Sequence, residues 1–154
     1  LHDVVDLIHE SVTELKESDL LFSVVIPEFY DGANRETPKF FYGLSYAYTI
    51  NHLLEVLERR PGSKIIVMSY RNFAEGENGA LDITQDEIAA ANGYQTKIVV
   101  AQEIGDVPPP FITFYDTSRA RLTAQVKIIE KSLAEEKSYD GIAYHYINAL
   151  MQLK

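Results

Sequence analysis

Cysteine and tryptophan are both missing from this chain of 154 residues. Without cysteine there are no disulfides and no thiolate metal sites, although that absence assigns no compartment. Without tryptophan, any aromatic platform must come from the 10 tyrosines and 7 phenylalanines. Histidine is sparse as well. Of the four, His2, His9 and His52 fall in segments of helical spacing, so a histidine-rich metal centre is not expected. No apolar run approaches the ~20 residues of a transmembrane helix. The opening LHDVVDLIHE lacks a basic stretch followed by an apolar one, so it does not read as a signal peptide. The first residue is Leu1 and not Met, and we expect a chain cut from something longer, or processed. Basic residues are outnumbered, 14 against 23 acidic ones, for a net charge of −9. That balance argues against nucleic acid and anionic membrane as partners. No G-x-G-x-x-G or Walker pattern occurs, so no phosphate-bearing cofactor is expected, and nothing else points to a cofactor.

What is present is enough apolar material, 46% of residues, for one domain spanning 1–154. Residues 3–18 carry Val4, Val5, Ile8, Val12 and Leu15 at helical spacing. LLFSVVI, 20–26, reads as a strand covered on both faces. DGANRETP, 31–38, is a polar loop with Gly32, Asn34 and Pro38. Residues 39–60 read as one long helix with Leu44, Tyr48, Leu53, Leu54 and Leu57 on its apolar side and Arg59 and Arg60 at its end. KIIVMSY, 64–70, is a second strand. Thr84 and Glu87 form the pattern of a capping box, opening a helix that stops near Asn92-Gly93. KIVVA, 97–101, is a third strand, and DVPPPFITFYD a loop kept from helix by its prolines. A helix is expected over about 117–136, a fourth strand at GIAYHY, 141–146, and a short helix in INALMQLK. Strands about 30–45 residues apart with helices between them predict right-handed βαβ units. The expected fold class is α/β, a parallel β-sheet with flanking helices.

In parallel α/β folds ligands bind beyond the C-terminal ends of the strands. Reading just past each apolar run gives Glu28, Phe29, Tyr30 and Asp31; Ser69, Tyr70, Arg71 and Asn72; Gln102 and Glu103; and Tyr144, His145 and Tyr146. Each has a plain alternative: solvated loop acids, a structural ion pair at Arg71, a satisfied histidine, packing tyrosines. Glu103 is the one that VVAQE carries straight from buried strand into charge. Two carboxylates and aromatic platforms are what glycoside hydrolysis needs. Metal-assisted hydrolysis would need more histidine.

The run IIVMSYRNFAEGENGALDITQDEIAAANGYQTKIVVAQEIGDVPPPFITFYD, with YDGIAYHY after it, resembles a group of bacterial glycoside-hydrolase-like (β/α)8-barrel proteins. In that group a strand ends in Met-x-Tyr-Arg-Asp before an Ala-Glu-Gly loop. A later strand ends in Glu-Thr, a Thr-Phe-Tyr segment follows, and the last strand reads Gly-Ile-Ala-x-His. Met68, Tyr70, Arg71, Ala74, Glu75, Gly76, Glu103, Thr113, Phe114, Tyr115, Gly141, Ile142, Ala143 and His145 match, over roughly residues 20–146. Asn72 stands where the group has Asp, Val25 where an Asp is common, Glu28-Phe29 for an aromatic pair and Ile104 for Thr.

The resemblance implies half of a TIM (β/α)8 barrel, strands five to eight, with the group's Asp-x-Glu-Pro segment outside this chain. It implies a carbohydrate-active hydrolase domain or fragment with a possible carbohydrate ligand. Glu103 would be the catalytic carboxylate; Glu28, Tyr70, Arg71, Asn72, Gln102, Tyr144 and His145 would bind substrate. The departures favour a second reading, a glycan-binding module without catalysis. A third reading is a self-contained flavodoxin-like domain, which the one-glycine first loop does not favour. Half a barrel leaves open edges and an uncovered inner face, so self-association or a missing N-terminal half is expected.

Overall fold

The structure, a computed structural model, describes residues 1–32 and 37–154. Of the polar loop at 31–38, Asn34 lies outside the described residues. The elements run α1 (His2–Glu14), β1 (Ser23–Pro27), β2 (Phe40–Tyr42), β3 (Ser45–Ala47), α2 (Thr49–Leu57), β4 (Lys64–Met68), α3 (Gln85–Ala91), β5 (Lys97–Glu103), α4 (Arg119–Leu133), β6 (Tyr139–His145) and α5 (Ile147–Gln152). Four strands form one parallel sheet in the order β1-β4-β5-β6. This is the expected α/β class, a parallel sheet with helices beside it. No helix among the described residues is long and apolar enough to cross a membrane.

The expected helix over 39–60 is instead a hairpin followed by a helix. Phe40–Tyr42 and Ser45–Ala47 pair antiparallel around Gly43, whose φ of +58° suits glycine. The aromatic residues concentrated in FFY and YAY favour pleated strands over helix. Leu44, placed on the apolar side of that helix, is fully exposed at the hairpin tip. Helix α2 then buries Leu53, Leu54 and Leu57 as expected. The basic end has a different task. Arg60 donates to the carbonyls of Leu15 and Ser18 at 2.8 Å each and of Leu20 at 2.7 Å, tying the segment after α1 to the end of α2.

The capping box does not form either. The Thr84 hydroxyl donates back to Ala80 O at 2.6 Å and meets Ser69 Oγ at 2.5 Å, while the Thr84 amide donates to Leu81 O. Glu87 therefore has no cap to complete, and its carboxyl is fully buried with neither oxygen hydrogen-bonded.

Every crossover steps the sheet the same way. With right-handed crossovers, that order collects the helices on one face. The core agrees. Val5, Ile8 and Val12 of α1, Leu53, Leu54 and Leu57 of α2, Ile88 of α3 and Ile129 of α4 pack in one cluster with Ile26, Ile65, Val67, Ile98 and Val100 of the sheet. The alternate strand residues Val25, Ile66, Met68, Val99 and Ala101 take no part in that cluster. They lie on the opposite face, which no helix among the described residues covers; Val25 at its edge is 56% exposed, while Val99 and Ala101 of the central strand β5 are buried. A second, smaller cluster joins Ile104, Phe114, Leu122 and Val126 to Leu150 and Leu153, seating α5 beside the start of α4.

Candidate functional site

The uncovered face carries its polar chemistry at the C-terminal end of the strands. β5 runs two residues beyond the expected 101, so Glu103 is the last residue of the strand and stands opposite His145 on β6. Alternation with Ala101 and Ala143 aims both side chains at the uncovered face. Glu103 is 2% exposed, and the His145 side chain is 55% exposed.

The carboxylate is fully engaged. Its Oε1 accepts the backbone N–H groups of Ile104 at 2.9 Å and Gly105 at 2.6 Å, and its Oε2 lies 2.5 Å from His145 Nδ1. A carboxylate can only accept, so the Nδ1 proton belongs to the imidazole, and in the neutral ring Nε2 is the outward lone pair. Residue 105 is closely bounded. A Cβ there would lie 3.0 Å from Glu103 Oε1 and 3.4 Å from the Tyr146 ring.

Two tyrosines flank the imidazole. The Tyr70 ring stacks on it at 6.1 Å between centroids with an interplanar angle of 18°. Tyr146, held at φ +84°, meets it edge-on at 5.3 Å. Burial, and then the Glu103 charge, push the Tyr70 hydroxyl pKa upward, so Tyr70 is a neutral donor over the physiological range.

Arg71 and Glu28 form the neighbouring part of the rim. Arg71 Nη2 lies 3.7 Å from Glu28 Oε1, Nη1 donates to Tyr70 O at 2.7 Å, and the guanidinium sits 5.7 Å above the Phe111 ring. Its Nε is buried without a hydrogen bond.

Three other expected site residues are placed differently. The Asn72 side-chain amide donates to Pro110 O at 2.9 Å and Thr113 O at 3.0 Å, bracing one loop against another. Gln102 lies on the helix-covered side of β5, fully buried, donating to Ser69 O at 3.0 Å. Tyr144 pairs with Gln102 across the strands and so shares that side, where burial and then Glu130 raise its pKa. Tyr146 and Gly105 complete the dyad's surroundings. Tyr146 was within reach of sequence reasoning, since it follows His145 at the strand end. Gly105 gave no such signal.

Among the described residues no group of three or more His, Asp or Glu could hold a metal ion. Compared with models of protein families, with curated proteins and with solved structures, the chain matches none.

Proposed function

We propose that the strand-end rim is a carbohydrate-binding mouth and that the sheet is one half of a (β/α)8-type barrel. The observation that carries the reading is the Glu103–His145 pair, set between two tyrosine rings at the strand ends. Sugars present apolar ring faces and rows of hydroxyls. Tyr70 and Tyr146 offer ring surface, and His145 Nε2 offers an acceptor for a hydroxyl proton. The singly wound strand order and the uncovered face support the half-barrel reading.

In this reading the reacting group shifts from Glu103 to His145. With both oxygens occupied, Glu103 is a positioning residue that fixes the tautomer and direction of the imidazole. His145 takes a proton at Nε2 from a sugar hydroxyl or from water. The checking experiment is titration calorimetry and reducing-end release over a panel of neutral oligosaccharides. His145→Ala lowers affinity or turnover at least about 10-fold, and Glu103→Gln lowers turnover by about 10- to 100-fold. The proposal fails if no neutral glycan binds, or if both variants match the parent.

One observation favours a non-catalytic version. Glycoside hydrolysis needs a second carboxylate. Glu28 and Asp31 are the other rim acids named by the sequence, and Glu28 already faces Arg71. Glycan binding with no hydrolysis would select that version.

A further inference from the structure

Three of the chain's four histidines lie against the β2–β3 hairpin. A two-stranded hairpin does not hold itself together in water, so what its inner face meets decides whether it stays down. Phe40 and Tyr42 form that face, partly buried against the core. The His52 ring of α2 lies 4.7 Å from the Phe40 ring and 5.7 Å from the Tyr42 ring, with Nε2 at 3.1 Å from Phe40 O. His9 of α1 is held from two sides. Its Nδ1 lies 3.2 Å from the Tyr42 hydroxyl and its Nε2 2.5 Å from Arg59 Nη1.

These partners fix both tautomers. A carbonyl can only accept, so His52 carries its proton on Nε2 and a lone pair on Nδ1. That Nδ1 is buried without a hydrogen-bond partner, in a residue that is 0% exposed. A second proton there would be a donor with no acceptor, on a charge shut away from water. A guanidinium can only donate, so His9 accepts at Nε2 and donates from Nδ1. A second proton on His9 removes that acceptor and sets imidazolium against guanidinium. His2 is different. It is exposed, 4.7 Å from the Phe40 ring, and a proton would strengthen that contact. The other charged groups around the hairpin are Asp6 and Glu10 of α1, Glu55 and Arg59 of α2, and Lys39 before β2. The three acids draw a cation toward the hairpin, but none among the described residues is hydrogen-bonded to His9 or His52. Tyr42 stays a phenol, since burial and then Asp6 push its pKa up.

We propose that the hairpin is an acid-released strap, freed from α1 and α2 when His52 and His9 each take up a second proton. Release comes below about pH 6, where imidazoles charge, and the parallel sheet stays folded through it. Phe40 and Tyr42 then join Phe41, Leu44 and Tyr46, which are already exposed, in one apolar surface. The strap works in this way whatever the rim binds.

The test is hydrogen exchange of the full chain between pH 7.5 and 5, corrected for the intrinsic rate, with nitrogen-15 spectra of the imidazoles on the same samples. At pH 7.5 the spectra should show His52 protonated on Nε2 and His9 on Nδ1. Toward pH 5 the cross-strand amides of residues 40–47 should lose protection at least about 10-fold, while those of β4 and β5 keep theirs. Glutamine at both positions keeps a donor and an acceptor but takes up no proton. The double variant His9→Gln/His52→Gln should therefore cut the acid response to less than about 2-fold, and His2→Gln should leave it as in the parent. Unchanged protection overturns the proposal. So does a loss shared equally by β4 and β5, which is unfolding of the whole chain. An acid response that survives in the double variant, or that vanishes in His2→Gln, overturns it as well. Should the double variant not fold, the parent's spectra decide. An imidazolium at His52 that appears as protection is lost supports release. A His52 proton on Nδ1 at pH 7.5, or an imidazolium within a still-protected hairpin, refutes it.

Discussion

Replacing Glu87 by Gln should stabilise this protein, and by more as the pH rises. Glu87 is fully buried in the first turn of α3, with neither carboxyl oxygen hydrogen-bonded. Burial, followed by the charge of Asp31 and smaller contributions from Asp86 and Glu28, pushes its pKa from the ordinary 4.5 up to about 9. Its own backbone amide pulls slightly the other way without forming a hydrogen bond. The folded chain therefore keeps a proton that the unfolded chain releases above 4.5. Stability is full below that value and falls as pH climbs toward about 9. Each pH unit in the window is worth 1.36 kcal/mol, so about 3 kcal/mol is at stake at pH 7. Gln has nearly the shape of the protonated acid and no proton to lose. It adds one buried N–H donor, which costs about 1 kcal/mol. The net expectation is near zero at pH 5 and a gain of about 2 kcal/mol at pH 7, or roughly 4–8 °C in Tm. Urea unfolding of both proteins at pH 5, 6.5 and 8 measures the difference directly. A difference that stays constant across pH, or a variant less stable than the parent at pH 8, refutes the reasoning.

Two further substitutions probe other contacts. Arg60→Ala should cost about 2–3 kcal/mol in urea unfolding, because three carbonyls from the segment after α1 lose a charged donor; Arg60→Lys should not recover it, since an ammonium cannot span all three. Gly105→Ala should cost about 1 kcal/mol and displace the carboxylate it crowds, seen as a changed nitrogen-15 pattern of the His145 ring; an unchanged pattern would show that the dyad tolerates the methyl group.

Much of this arrangement is legible in the sequence. The four parallel strands are, because KIIVM and KIVVA are short β-branched runs set apart by helix-length segments. So is the meeting of Glu103 with His145, since parallel strands bring their last residues to one rim. The rim alone could not say which residues face it. Gln102 and Tyr144 sit one step out of phase with Glu103 and His145, and a period of two sends them to the other side. That signal was in the spacing. The role of Asn72 was not, because its partners, Pro110 and Thr113, come from a loop some 40 positions away. The hairpin at 40–47 was hidden by the leucines of α2, whose helical spacing extends plausibly backward until Gly43 is recognised as a turn.

Glu87 and Glu103 show why burial by itself does not reveal a site. Both are glutamates removed from water. Glu103 meets two backbone amides and an imidazole, all placed by the turn that leaves β5 and by the end of β6. Glu87 has neither oxygen hydrogen-bonded and only the pull of its own backbone amide against burial, and it responds by holding its proton. The two positions therefore answer different questions when changed to Gln. At 87 the change removes a buried acid that the fold leaves unpaired, so it should register in stability and in its pH dependence. At 103 it replaces an acceptor of three N–H groups with one that can accept at a single oxygen, so it should register in the direction and tautomer of His145. If Glu103→Gln altered stability with pH and left the His145 ring signals untouched, the pair would be structural and the rim would have no reacting group.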